Sequence, residues 1–177
     1  MVLTFALISL GVLALDRLTG GWTTLNLFCV YRAPLSHPLT YVRMIAHVLG
    51  HAGYTHYLSN MMLLLVVGPP LEEKYGSRRL LACIFITALV SGLAQFLLFP
   101  TSALLGASGI VFMMIVLSSL AGMRNGAIPL TLILVVVLYL GGEVVDSVTV
   151  QDNVSHLTHI VGGLCGAALG FSMSRQT

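Results

Sequence analysis

Three short stretches of this 177-residue sequence carry side chains that apolar packing does not call for. The first is SHLTHIVGGLCGAALG, residues 155–170, where two histidines precede a run of glycines. On a helix of about 100° per residue, His159, Gly162, Gly163, Gly166 and Gly170 fall within an arc of about 100°. Such a stripe lets a neighbouring backbone come close, and His159 at its end should point at whatever the stripe packs on. Taken alone, the glycines describe an ordinary helix-packing motif with a satisfied histidine.

The second stretch is GASGIVF, Gly106 to Phe112. A serine at a helix start usually only caps it. Ser108, however, would face unpaired backbone N–H groups and the positive end of the helix dipole. Gly106 and Gly109 flank it and would let a substrate backbone approach. These are the needs of a nucleophile whose own N–H helps to hold an oxyanion. The third stretch is HVLGHAGYTHYLSN, residues 47–60. His56 and Asn60 share a helix face at i, i+4, and the apolar run MMLLLVV that follows puts the Asn60 amide at membrane depth. His47 and His51 repeat the spacing nearer the loop and read as an anchoring hydrogen-bond network. The same spacing suits metal ligands, but HExxH is absent and no carboxylate stands near the cluster, so neither a metal nor another cofactor is expected.

The elements that must position these residues are membrane helices. Of the chain, 57% is hydrophobic and 8% charged, with mean hydropathy +0.98. A soluble domain carries roughly a quarter charged residues, so lipid is the expected solvent. The net charge of +2 and the absence of any basic run beyond Arg78-Arg79 exclude nucleic acid as a partner. Cys29, Cys83 and Cys165 are odd in number and lack CxxC spacing, which argues against a disulfide framework.

Six segments read as spans, at about 1–15, 55–72, 78–99, 108–123, 127–145 and 156–174. The first lacks the basic start and the cleavage pattern of a secretory signal and reads as a short membrane helix. The fold class expected is therefore an all-α integral membrane protein, a single domain of six transmembrane helices with a long interfacial first loop over residues 16–54. Lys74, Arg78, Arg79, Arg124 and Arg175 share one side, which makes both termini cytoplasmic. The compact core points to a bacterial plasma membrane. This topology puts Ser108, His159, His56 and Asn60 at one depth, each at the non-cytoplasmic end of its span. Polar groups there are costly and are functional candidates by default.

In these residues the chain resembles the rhomboid family of intramembrane serine proteases. The resemblance runs from about Arg43 to the C-terminus. It rests on His-x4-His-x3-Asn (His51, His56, Asn60), GxxxE followed by Gly-Ser (Gly68, Glu72, Gly76, Ser77), GxSG (Gly106, Ser108, Gly109), His-x2-Gly-x3-Gly (His159, Gly162, Gly166) and six spans. It implies a rhomboid-like bundle and a Ser–His dyad. Ser108 would be the nucleophile and His159 the base, with His56, Asn60 and the Ser108 N–H as oxyanion donors. Gly106, Gly109, Phe112, Gly162 and Gly166 would support them. His156 is the alternative base, but only His159 has glycines at +3 and +7.

Three departures stand out. Val42-Arg43 replaces the family's common Trp-Arg, which alters how the first loop is anchored. Phe112 replaces a tyrosine under the histidine ring, keeping the stack and losing a hydroxyl. Pro69 and Pro70 interrupt GxxxE and should tighten the turn that follows. The partners implied are the lipid bilayer and a membrane-protein substrate whose transmembrane segment is weakened by Gly or Pro. It would arrive laterally past the greasy fifth segment, LTLILVVVLYL. The alternative is a catalytically inactive rhomboid-like protein that binds membrane proteins. Such relatives usually lose the serine or the histidine, and this chain keeps both.

Overall fold

The computed structural model describes residues 1–121 and 153–174, with side chains for 158–173 in the second stretch. The expected span 127–145 lies outside the described residues. The main helices are α1 (Val2–Leu18), α4 (Tyr54–Tyr75), α5 (Ser77–Leu98), α6 (Ser108–Ala121) and α7 (Asn153–Ser174). Two shorter helices, α2 (Trp22–Leu27) and α3 (Pro38–Ala46), lie between α1 and α4, and a single 3-10 turn (His47–Leu49) follows α3. Among the described residues, α5 is long and apolar enough by itself to cross a membrane, and α6 and Thr158–Met173 of α7 are shorter apolar helices.

The helix α6 is the hub. It is apolar on every side, and Ile110, Met113, Met114 and Leu117 are fully buried, as expected of a helix with neighbours all round. Those neighbours are α4, α5 and α7. The outward faces of α1, α4, α5 and α7 are large and apolar, with Leu3, Val66, Leu97 and Leu164 exposed. In water such a surface would be a liability; in a bilayer it is the solvated one.

The expectation for Pro69 and Pro70 needs correction. They do not tighten the turn, because α4 runs unbroken past both to Tyr75. Each proline removes one backbone donor, yet both lie on the exposed face while Gly68 and Leu71 stay buried on the other. Membrane helices tolerate such prolines where packing elsewhere holds the helix together. The chain reverses at Gly76 instead, where φ is +81°, a conformation that favours glycine. Beside this turn, Glu72 accepts hydrogen bonds from the Val2 N–H at 3.0 Å and from the Ser77 hydroxyl. A Cβ on Gly68 would lie 2.7 Å from the Val2 side chain, so the GxxxE element is where α1 crosses α4.

The first loop is more ordered than interfacial turns alone would require. Val30 and Tyr31 form β1, which pairs antiparallel with β2 (Ala103–Leu104) in the register Val30 to Leu104. Arg43 is buried, donates to the Asn26 carbonyl at 2.7 Å and lies 4.6 Å over the Tyr31 ring. Loop anchoring thus proceeds through Arg43 although Val42 is exposed. The helix α3 lies directly on α5: a Cβ on Gly92 would sit 2.1 Å from the Met44 carbonyl oxygen.

Candidate active site

The nucleophile candidate opens α6. The chain enters through Gly106 at φ +115°, and the Val111 N–H bonds to the Ala107 carbonyl at 2.9 Å. Ala107 therefore caps the helix, and the Ser108 N–H is among the amides with no intrahelical carbonyl. The loop before it is fixed from behind by the Gly106 N–H, which donates to the His47 carbonyl at 2.9 Å.

The glycine stripe of α7 seats against α6 at contact distances that exclude side chains. A Cβ on Gly162 would stand 2.2 Å from the Gly109 carbonyl oxygen, and one on Gly166 would stand 2.5 Å from that of Met113. A Cβ on Gly170 would meet Leu120 at 2.6 Å. Gly163 departs from the expected stripe, since its nearest neighbour would be Val116 at 3.9 Å. It sits at the edge of the seam, where the ideal wheel places it less finely than the real crossing does.

This seam brings His159 to the start of α6. Its ring stacks on Phe112 with centroids 4.3 Å apart and planes 10° from parallel. Phe112 is four residues after Ser108 and so shares its face. The imidazole thus lies along the same strip of α6 as the serine, one turn away. His156 belongs to α7, but its side chain lies outside the described residues.

His56 and Asn60 face the same loop from α4. The His56 ring atoms Cε1 and Nε2 would each be 2.8 Å from a Cβ on Gly106, and Asn60 Nδ2 would be 3.9 Å away. Any side chain at Gly106 would strike the histidine. The Ala52 N–H donates to His56 Nδ1 over a long 3.4 Å, an arrangement that assigns the neutral ring's proton to Nε2, the nitrogen facing Gly106. Asn60 Nδ2 donates one hydrogen to the His56 carbonyl at 3.0 Å and retains a second.

His47 and His51 are fully buried behind this front. His51 meets the His56 ring edge to face at 5.1 Å and the Tyr57 ring at 5.5 Å, with Nδ1 3.2 Å from the Leu49 carbonyl. Burial lowers its pKa to about 4, helped by the neighbouring His56 and opposed by the Leu49 carbonyl. Burial likewise lowers His47 to about 4, against the backbone carbonyls of Arg43 and Met44. Among the described residues no group of three His, Cys, Asp or Glu is placed to hold a metal ion.

One further polar stripe lies inside an apolar segment. Thr87, Ser91 and Gln95 of α5 are all buried and follow each other at i, i+4 and i+8 on the inner face. Ser91 Oγ would be 3.5 Å from a Cβ on Gly109, and Gln95 donates to the carbonyl and hydroxyl of Ser102 at 3.1 Å. The spacing within an apolar segment was the available signal.

The family profile described as Rhomboid domain matches residues 38–176. Rhomboid-related protein 1 of Caenorhabditis elegans is 34% identical over 139 residues, which are 73% of this chain and 39% of that protein. Two proteins of Bacillus subtilis (strain 168) are also similar. The putative rhomboid protease YdcA is 27% identical over 72% of this chain and 64% of its own length. The rhomboid protease GluP is 29% identical over 71% of this chain and 25% of its own. The chain thus spans less than two thirds of the length of these relatives. With the profile covering most of the sequence, the chain belongs to the rhomboid family of integral membrane proteins, which includes intramembrane serine proteases.

Proposed function

We propose that this chain is an intramembrane serine endopeptidase that cuts transmembrane segments of other membrane proteins with a Ser108–His159 dyad. The observation that carries the reading is the Phe112–His159 stack above the Gly109–Gly162 contact. A histidine held flat along the helix that Ser108 opens would be placed to exchange a proton with it, and the glycine contact would let it approach.

In this reading His159 takes the proton of Ser108 as its oxygen attacks the scissile carbonyl, then delivers it to the leaving amine. The oxyanion that forms meets the Ser108 N–H, the Nε2–H of His56 and the second Nδ2 hydrogen of Asn60. In a site of low dielectric such donors count heavily, about 3–4 kcal/mol for one of them in a soluble serine protease. No carboxylate is needed to orient the base, because Phe112 does so, and a buried carboxylate would itself be costly at this depth.

The bundle would have six spans, the fifth at 127–145, with the α4–α5 turn and its Lys74, Arg78 and Arg79 on the cytoplasmic side. The substrate is a membrane segment that unwinds readily near the cut, since helical backbone is closed to attack. Cleavage of a tagged single-span protein in liposomes tests the reading. Wild type and His156→Ala should cut it, whereas Ser108→Ala and His159→Ala should not. Failure of the wild type on several helix-weakened substrates would favour a family member that binds without cutting.

A further inference from the structure

A groove of about 490 Å³ lies between α1, α3 and α5, away from the serine. Its lining is wholly apolar and includes Phe5 and Ile8 of α1, Ile45 of α3, and Leu81, Ile84 and Phe85 of α5. Phe5 and Ile84 form a buried floor, whereas Ile8 and Phe85 form a rim that is about half exposed. The groove therefore opens to the surroundings, and for an integral membrane protein these are acyl chains. An apolar recess has nothing to hold water in place, and left empty its walls would forfeit dispersion contacts. A recess of this size, apolar along its whole lining, has room for an extended fatty acyl chain.

The charge at one end selects among lipids. Arg78, Leu81 and Phe85 follow each other at i, i+3 and i+7 on α5, so Arg78 lies on the groove face one turn closer to the helix start, about 4.5 Å along the axis. Arg78 is exposed, and among the described residues no carboxylate pairs with it. A guanidinium there matches a phosphate in its planar, two-pronged geometry. The lining also includes Val42 and Ala46 of α3 and Val48 and Leu49 of the 3-10 turn. That turn supplies the His47 carbonyl which holds the Gly106 N–H.

We propose that this groove binds one acyl chain of an anionic glycerophospholipid whose phosphate is met by Arg78. The lipid belongs to the leaflet on the side of the α4–α5 turn. Its chain end braces α3 and, through His47, the loop that carries Ser108.

Brominated lipids test the assignment without reference to catalysis. In a Trp22→Phe background, Phe85→Trp places a reporter on the groove rim and Val66→Trp places a control on the exposed face of α4. Each protein is reconstituted in phosphatidylcholine liposomes containing either brominated phosphatidylglycerol or brominated phosphatidylcholine. The reporter at position 85 should show about fivefold preferential quenching by phosphatidylglycerol, and the control none. Arg78→Gln should reduce the reporter to the control. Equal quenching by both lipids at position 85, or a preference that survives Arg78→Gln, would overturn the proposal. If Phe85→Trp does not reconstitute, native mass spectrometry of wild type and Arg78→Gln with phosphatidylglycerol reads the same difference. Bound lipid should be retained only by the wild type, and equal retention would count against it.

Discussion

At the residue scale, the site depends on where a Cβ can and cannot be placed. Gly162→Ala drives a methyl group into the Gly109 carbonyl, so α7 must move from α6. Overpacking of this kind costs about 1–3 kcal/mol, and even a 1 Å retreat of His159 could lower cleavage by about a hundredfold. Gly163→Ala, with 3.9 Å to its nearest neighbour, should leave both thermal unfolding and cleavage near wild type. Phe112→Tyr keeps the stacking ring and should retain cleavage. Phe112→Ala removes a buried ring and the stack, and should lower cleavage about tenfold or more. The buried histidines give a pH signature. His47 and His51 titrate near pH 4 in the fold and near 6.5 when unfolded. The unfolded chain therefore takes up protons first as pH falls, and stability should drop from about pH 6.5 down to about pH 4 and then level. Thermal unfolding followed across that range should show this slope, and His51→Gln should make it shallower. A flat wild-type profile would mean the rings are not held neutral.

At the element scale, what was legible in the sequence was what is local. The helices α1, α4, α5, α6 and α7 overlie the apolar segments expected as spans, although among the described residues only α5 is long and apolar enough by itself to cross a membrane. Ser108, His56, Asn60 and His159 stand out in the sequence because polar residues near the ends of apolar segments are conspicuous, and the fold sets His56 and Asn60 beside Gly106 and His159 on Phe112. The organisation of residues 16–54 was not legible because the contacts that fix it are distant in sequence. Nothing near Gly92 says that the Met44 carbonyl will press on it, and nothing near Val30 says that Leu104 is its partner. Nor does a proline pair reveal that its helix will be held from the opposite face. Arg43 carries much of this order. Arg43→Ala should cost about 2–3 kcal/mol through loss of the Asn26 bond and the Tyr31 contact. Arg43→Lys should recover only part of it, since an ammonium lacks the planar face. Thermal unfolding in detergent compares the two.

At the scale of the whole molecule, the proposed function poses one difficulty: peptide hydrolysis would need polar groups and water in a place that lipid keeps dry. The described helices would meet it by gathering polar residues around the start of a hub helix whose other polar side chains are Ser118 and Ser119 near its far end. On the proposed reading, a membrane segment would gain access laterally between α4 and the expected fifth segment, residues 127–145, which lies outside the described residues. A crosslink between those two should block cleavage of a membrane substrate while a small serine reagent still reaches Ser108. Undiminished cleavage of the membrane substrate would rule out that route. The central claim, that His159 activates Ser108, is tested most directly without any substrate. The purified protein is treated with a fluorophosphonate and the modified residue is mapped by mass spectrometry. Label on Ser108 that persists in His156→Ala and disappears in His159→Ala is the expected result. Label elsewhere, or label on Ser108 that is indifferent to His159, would contradict it.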